Sequence, residues 1–119
     1  MKILIESIPD SQMRYATLGD YFDRDGMLVI QVSEDCEKEM GTPHAMALVA
    51  LHELVEYLLC QNDGVTNGQI DEFDLNFKGE GEPGDAPMAP YRSQHRFAML
   101  IEHLVARELG AGSNYGKVE

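Results

Sequence analysis

An α+β domain is predicted by three features of this sequence. Its first third holds short Ile- and Val-rich segments separated by turn residues, and two long helical runs follow. A loop rich in Gly and Pro stands between those runs. At 119 residues and 44% hydrophobic, the chain is long enough for one core. Residues 1–119 are therefore read as a single domain, with about 110–119 as a flexible polar tail. The expected arrangement is a small antiparallel sheet of two or three N-terminal strands packed on a central helix, with a second long helix at the C-terminal end.

Residues 2–8 partly alternate and end at Pro9-Asp10, which suits a first strand. Residues 13–22 and 27–32 flank Asp23-Arg24-Asp25-Gly26, a short acidic connector with Gly that signals a hairpin. Ser33 precedes Glu34 and Asp35 as an N-cap before a short helix that Gly41 ends. Thr42 and then Pro43 open the central helix, over about 43–61, which Asn62-Asp63-Gly64 closes. This helix is apolar nearly all round, so it needs cover on more than one side. Residues 70–77 fit a short helix or an extended segment equally well. Residues 78–90 hold three Pro and three Gly and form a loop long enough to be functional or mobile. Its acids lack the ligand spacing of an EF-hand, which favours a solvated loop over a calcium site. The last helix covers about 91–109 and stops at Gly110, its apolar stripe comprising Phe97, Ala98, Ile101, Leu104 and Val105.

The formal net charge of -12 repels a phosphate backbone and anionic membranes, so neither nucleic acid nor membrane is an expected partner. No run nears the ~18 apolar residues of a membrane span, and the N-terminus turns polar too early for a secretory signal. A soluble, cytoplasmic protein is expected. Cys36 and Cys60 lack a CxxC spacing and read as reduced thiols near the core.

The chemistry lies on the two long helices. His52 and Glu56 are four residues apart, so they share one helix face with Leu48, Val55 and Leu59 and point into protein interior. An imidazole and a carboxylate buried without partners cost several kcal/mol, about 2–7 for a neutral polar group and more for a charge. His95 and Glu102 are seven apart on the last helix and nearly eclipsed, at the edge of its buried face. If the two helices pack antiparallel, His52, Glu56, His95 and Glu102 can meet, a donor set that suits a first-row divalent metal, with zinc the first choice. Simpler readings fit the same residues: an i,i+4 pair for His52 and Glu56, an exposed first-turn position for His95, and an arginine partner for Glu102. Glu53 shares its face with Met46, Val49 and Cys60.

His52-Glu53-Leu54-Val55-Glu56 resembles the HExxH helix of zincin metallopeptidases, and a hairpin followed by a central motif-bearing helix is similar to the minimal zincin core. The resemblance covers five motif positions and a coarse topology over residues 1–61. It implies His52 as a zinc ligand, Glu53 as the general base that activates water, and a peptide or protein substrate beside the hairpin's edge strand. The family has a second His where this chain has Glu56, and Glu can serve as a ligand in its place. His95 is the natural third ligand by chemistry. Residues 82–91 are also similar to small proteins of bacteriophage type. Two functions follow: a zincin-like metal-binding protein acting as a zinc-dependent hydrolase, or a non-catalytic accessory protein whose His/Glu cluster is structural.

Overall fold

The computed structural model describes residues 1–111. The expected tail falls, from residue 112 on, outside the described residues. The fold is α+β: among the described residues, a three-stranded sheet from the first 33 residues and four α-helices, two of them long.

Strand β1 (Ile3–Ile8), β2 (Gly19–Arg24) and β3 (Met27–Ser33) form the sheet in the order β1-β3-β2. The hairpin is tighter than expected. Asp23 and Arg24 belong to β2 and pair with Leu28 and Met27, so only Asp25 and Gly26 turn. Both have positive φ, 53° and 77°, the backbone required at both positions of a type I′ hairpin turn. Residues 13–18 lie outside the strand.

The sheet is mixed and not wholly antiparallel, because β1 runs parallel to β3. The hairpin already occupies one side of β3. Residues 9–18 therefore pass over the end of β3 from β1 to the far edge, and β2 itself brings the chain back so that β3 can start beside the start of β1.

Helix α1 (Cys36–Met40) ends at Gly41, as expected, although Asp35 and not Ser33 is its N-cap; Ser33 Oγ accepts from Asp35 N–H at 3.0 Å. Helix α2 (Ala45–Asp63) starts two residues after Pro43 and ends at Gly64 in the left-handed conformation. Residues 70–77 belong largely to a helix, α3 (Asn67–Asn76). Thr66 accepts from Gln69 N–H while the Gln69 side chain accepts from Thr66 N–H, a capping box written in the sequence as T-x-x-Q.

The last helix, α4 (Arg92–Glu108), packs along α2, which lies against β2 and β3. Contacts from His52 to Glu102 and from Glu56 to His95 make α2 and α4 antiparallel. Leu28, Ile30, Val32, Val49, Tyr57 and Cys60 belong to the core, and both cysteines are buried free thiols. The burial of α4 departs from the expected stripe. His95, Ala98, Glu102 and Ala106 face inward, whereas Phe97 is 49% exposed and Leu104 is half-exposed too. Among the described residues, no helix is long and apolar enough to cross a membrane.

Candidate metal centre

Three ligand atoms converge between α2 and α4. His52 Nε2 lies 3.2 Å from Glu56 Oε2 and 3.2 Å from His95 Nδ1, and His95 Nδ1 lies 3.0 Å from Glu56 Oε2. Two ligands about 2.0–2.1 Å from a tetrahedral ion stand roughly 3.3 Å apart, so this triangle has close to the size a zinc-sized cation requires. All three residues are buried, and together they could hold a metal ion.

Glu102 joins the cluster from behind. Its Oε1 sits 2.8 Å from His52 Nδ1, on the opposite side of the imidazole from the three converging atoms. As a metal ligand it is therefore misplaced; its position suits a carboxylate that accepts from Nδ1–H and so leaves Nε2 free to ligate. At 1% exposure it is no edge residue. Glu53 Oε2 is 4.0 Å from His52 Nε2, and Glu53 lines the same cavity of about 60 Å³ with the three ligand candidates.

The electrostatics of the cluster are compatible with a bound cation. Glu53, Glu56 and Glu102 are buried around two imidazoles, and among the described residues no Lys or Arg lines the cavity. Burial opposes charge on His52, yet the hydrogen bonds to Glu102 and Glu56 and the charge of Glu53 outweigh it, pushing the imidazole up to about 11. Burial also works against an ionised Glu56, but hydrogen bonds from His52 and His95 hold it below the usual carboxylate range. Glu53 goes the other way. Burial and the neighbouring Glu56 charge raise it well above that range, with only partial relief from His52. The cluster thus holds protons where a divalent cation can replace them.

Residues 78–81 are solvated as expected, but Glu82 and Gly84 of the same loop line this site. Pro83–Asp85 form one 3₁₀ turn packed on α4. Glu82 enters the cavity wall and accepts from Thr17 Oγ1 at 3.2 Å. Burial raises the Glu82 carboxyl. Asp85 Oδ1 approaches His95 Nε2 to 3.3 Å without hydrogen-bond geometry, and that nitrogen is buried with no hydrogen bond. Tyr91 stacks edge-on against the His95 ring, and its hydroxyl donates to Asp74 at 2.5 Å while Tyr15 donates to the other Asp74 oxygen at 3.2 Å. Burial, against those two hydrogen bonds, pushes Asp74 up to about 7.

Two glycines make room for the site. A Cβ on Gly19 would sit 2.5 Å from Val49 and 3.0 Å from Glu53 Oε1; one on Gly84 would sit 2.5 Å from His95 Cγ and 2.6 Å from its Nδ1. Gly84→Ala should therefore push the His95 ring away from His52 and Glu56. Affinity for an added divalent cation, measured by competition with a chelator, should fall at least tenfold, while circular dichroism keeps the helical signal. Unchanged affinity would show that His95 is not held by the loop.

Of the residues singled out from sequence, His52, Glu56 and His95 meet, Glu53 flanks them and Glu102 supports them. Tyr15, Thr17, Gly19, Asp74, Glu82, Gly84, Asp85 and Tyr91 were not foreseen. Only the length of the 78–90 loop hinted at that part of the site. Comparison with protein-family models, with curated proteins and with solved structures found no match. The fold and site define an α+β protein with a buried His/Glu cluster able to hold a metal ion.

Proposed function

We propose that this chain is a zincin-like zinc-binding protein and a metal-dependent hydrolase. His52, Glu56 and His95 are the ligands, Glu102 fixes the His52 tautomer, and Glu53 is the general base. The observation that carries this reading is the convergence of His52 Nε2, Glu56 Oε2 and His95 Nδ1 with an unligated carboxylate, Glu53, at their side. Two nitrogens and one carboxylate oxygen with room left in the cavity match the catalytic arrangement, in which three protein ligands leave one position open. Bound zinc supplies Lewis acidity that polarises a carbonyl and eases the ionisation of water.

Glu53 suits the task of taking a proton from water, since its raised affinity for protons brings it closer to neutral pH than an ordinary carboxylate. The substrate class follows from the access route. Strand β2 is a sheet edge, but Gly19, Asp20 and Tyr21 at its start are buried, which disfavours a peptide strand laid beside the metal. A small acyl compound or the end of a peptide chain, entering past Tyr15, Thr17 and Glu82, fits the cavity better.

Elemental analysis of protein purified without an affinity tag, followed by dialysis against zinc, tests the reading. About one zinc per chain is expected. Protein that carries no transition metal and takes up none from micromolar zinc would overturn it.

A further inference from the structure

We propose that two copies of this chain associate through strand β1, joining their sheets into one of six strands across a two-fold axis at Leu4. Among the described residues, β1 is an edge strand. Lys2 C=O accepts from Leu28 N–H at 3.0 Å, and Ile3 aligns with Leu28. By strand alternation, the N–H and C=O groups of Lys2, Leu4 and Glu6 face β3, while those of Ile3, Ile5 and Ser7 face outward. An open edge of this kind is a template for another strand.

Two apolar side chains of that edge are exposed on the face that α2 covers. Ile3 is 46% and Ile5 53% exposed, and they align with the core residues Leu28 and Ile30. A groove of about 480 Å³ continues from Ile5 across Val32 to Met46, Ala50 and Leu54 of α2. The helix that reads as apolar all round is thus covered by the sheet and α4 but left open along this side. A two-fold axis perpendicular to the sheet keeps both α2 helices on one face, so the two grooves would meet over the paired β1 strands.

The charge pattern selects a second copy as the occupant and sets the register. In an antiparallel pair centred on Leu4, Lys2 stands opposite Glu6 of the other copy, twice, and Ile3 opposite Ile5. The outward-facing groups of Ile3 and Ile5 then form the hydrogen-bonded pairs. Lys2 and Glu6 fall at the closer, non-hydrogen-bonded positions, about 4.5 Å between Cα atoms, within reach of an ion pair. Sliding the pair by two residues either way keeps the backbone bonds but sets Lys2 against Leu4 or Ile8. Glu6 is held in place by Gln31 Nε2 at 2.8 Å, and Arg24 lies 3.6 Å away, both on Oε1.

Sedimentation equilibrium of the full chain at about 0.15 M salt, where screening shortens the reach of the two net charges to ~8 Å, tests the pairing. The mass should be twice the 13.3 kDa of one chain. Lys2→Glu alone and Glu6→Lys alone each turn two attractions into two repulsions and should weaken the dimer on the order of tenfold or more. An equimolar mixture of the two variants sets acid against base at every position and should recover the dimer. Circular dichroism confirms that each variant is folded. A monomer throughout the micromolar range overturns the proposal, and so does a dimer indifferent to both reversals and to mixing.

Discussion

His52→Ala should abolish zinc binding and strongly destabilise the fold, the largest effect expected of any single substitution here. The imidazole contributes a ligand atom to the triangle and is the hydrogen-bond partner of Glu102 and Glu56 together. Its loss leaves two buried carboxylates facing each other across a cavity. Breaking a buried ion pair from one side usually costs about 3–5 kcal/mol. Urea denaturation with a chelator present isolates this polar network, and zinc uptake by dialysis reads the ligand role separately. Glu102→Gln is the informative companion, since it keeps all three ligand atoms and should weaken zinc only about 10–100-fold, the usual worth of such a supporting carboxylate. Unchanged stability and unchanged zinc content in His52→Ala would remove the cluster from any account of this protein.

Glu53→Gln should separate chemistry from metal binding. Because Glu53 stands beside the triangle and not in it, the variant should bind zinc as wild type does. Turnover of any hydrolysed substrate should fall by about 10² or more, the usual contribution of a general base. Stability moves in the opposite sense from His52→Ala. Burial and Glu56 raise Glu53 above its ordinary range, so the folded chain holds a proton that the unfolded chain releases. For an acid shifted upward, folding is weakened as pH rises above the unfolded value, about 4.3 for Glu. A neutral Gln lacks that penalty. Metal-free Glu53→Gln should therefore be at least as stable as wild type at pH 7 by thermal melting. A variant that retains zinc and full activity against every substrate found would favour a non-catalytic role for the scaffold.

Local signals in the sequence carried much of the architecture. Asp25-Gly26, Gly41 and Gly64 mark a turn and two helix ends because backbone geometry at those points depends on the residue itself. The i,i+4 spacing of His52 and Glu56 likewise guaranteed a shared face, and the antiparallel packing of two long helices brought His95 to it. The T-x-x-Q capping box before α3 was equally local and legible, although the ambiguous apolar pattern of residues 70–77 obscured it.

Non-local relations were decided by tertiary structure. β1 took the side of β3 that the hairpin leaves open, and it runs parallel because residues 9–18 pass over the end of β3 before β2 returns, a relation between strands that no segment encodes alone. Helix α4 turned His95, Ala98, Glu102 and Ala106 inward, where His95 and Glu102 meet Glu56 and His52 of α2, and left Phe97 and Leu104 exposed. Glu102 became a support for His52, and not a fourth ligand, through an offset of one ring, a distance below what helical periodicity resolves. The loop of residues 78–90 approaches His95 closely at Gly84, which has no Cβ to collide with the imidazole. The sequence by itself determined which residues share a helix face, since that depends on spacing along one chain segment. Which faces meet, and which carboxylate stands in front of the ligands or behind them, depends on packing between segments.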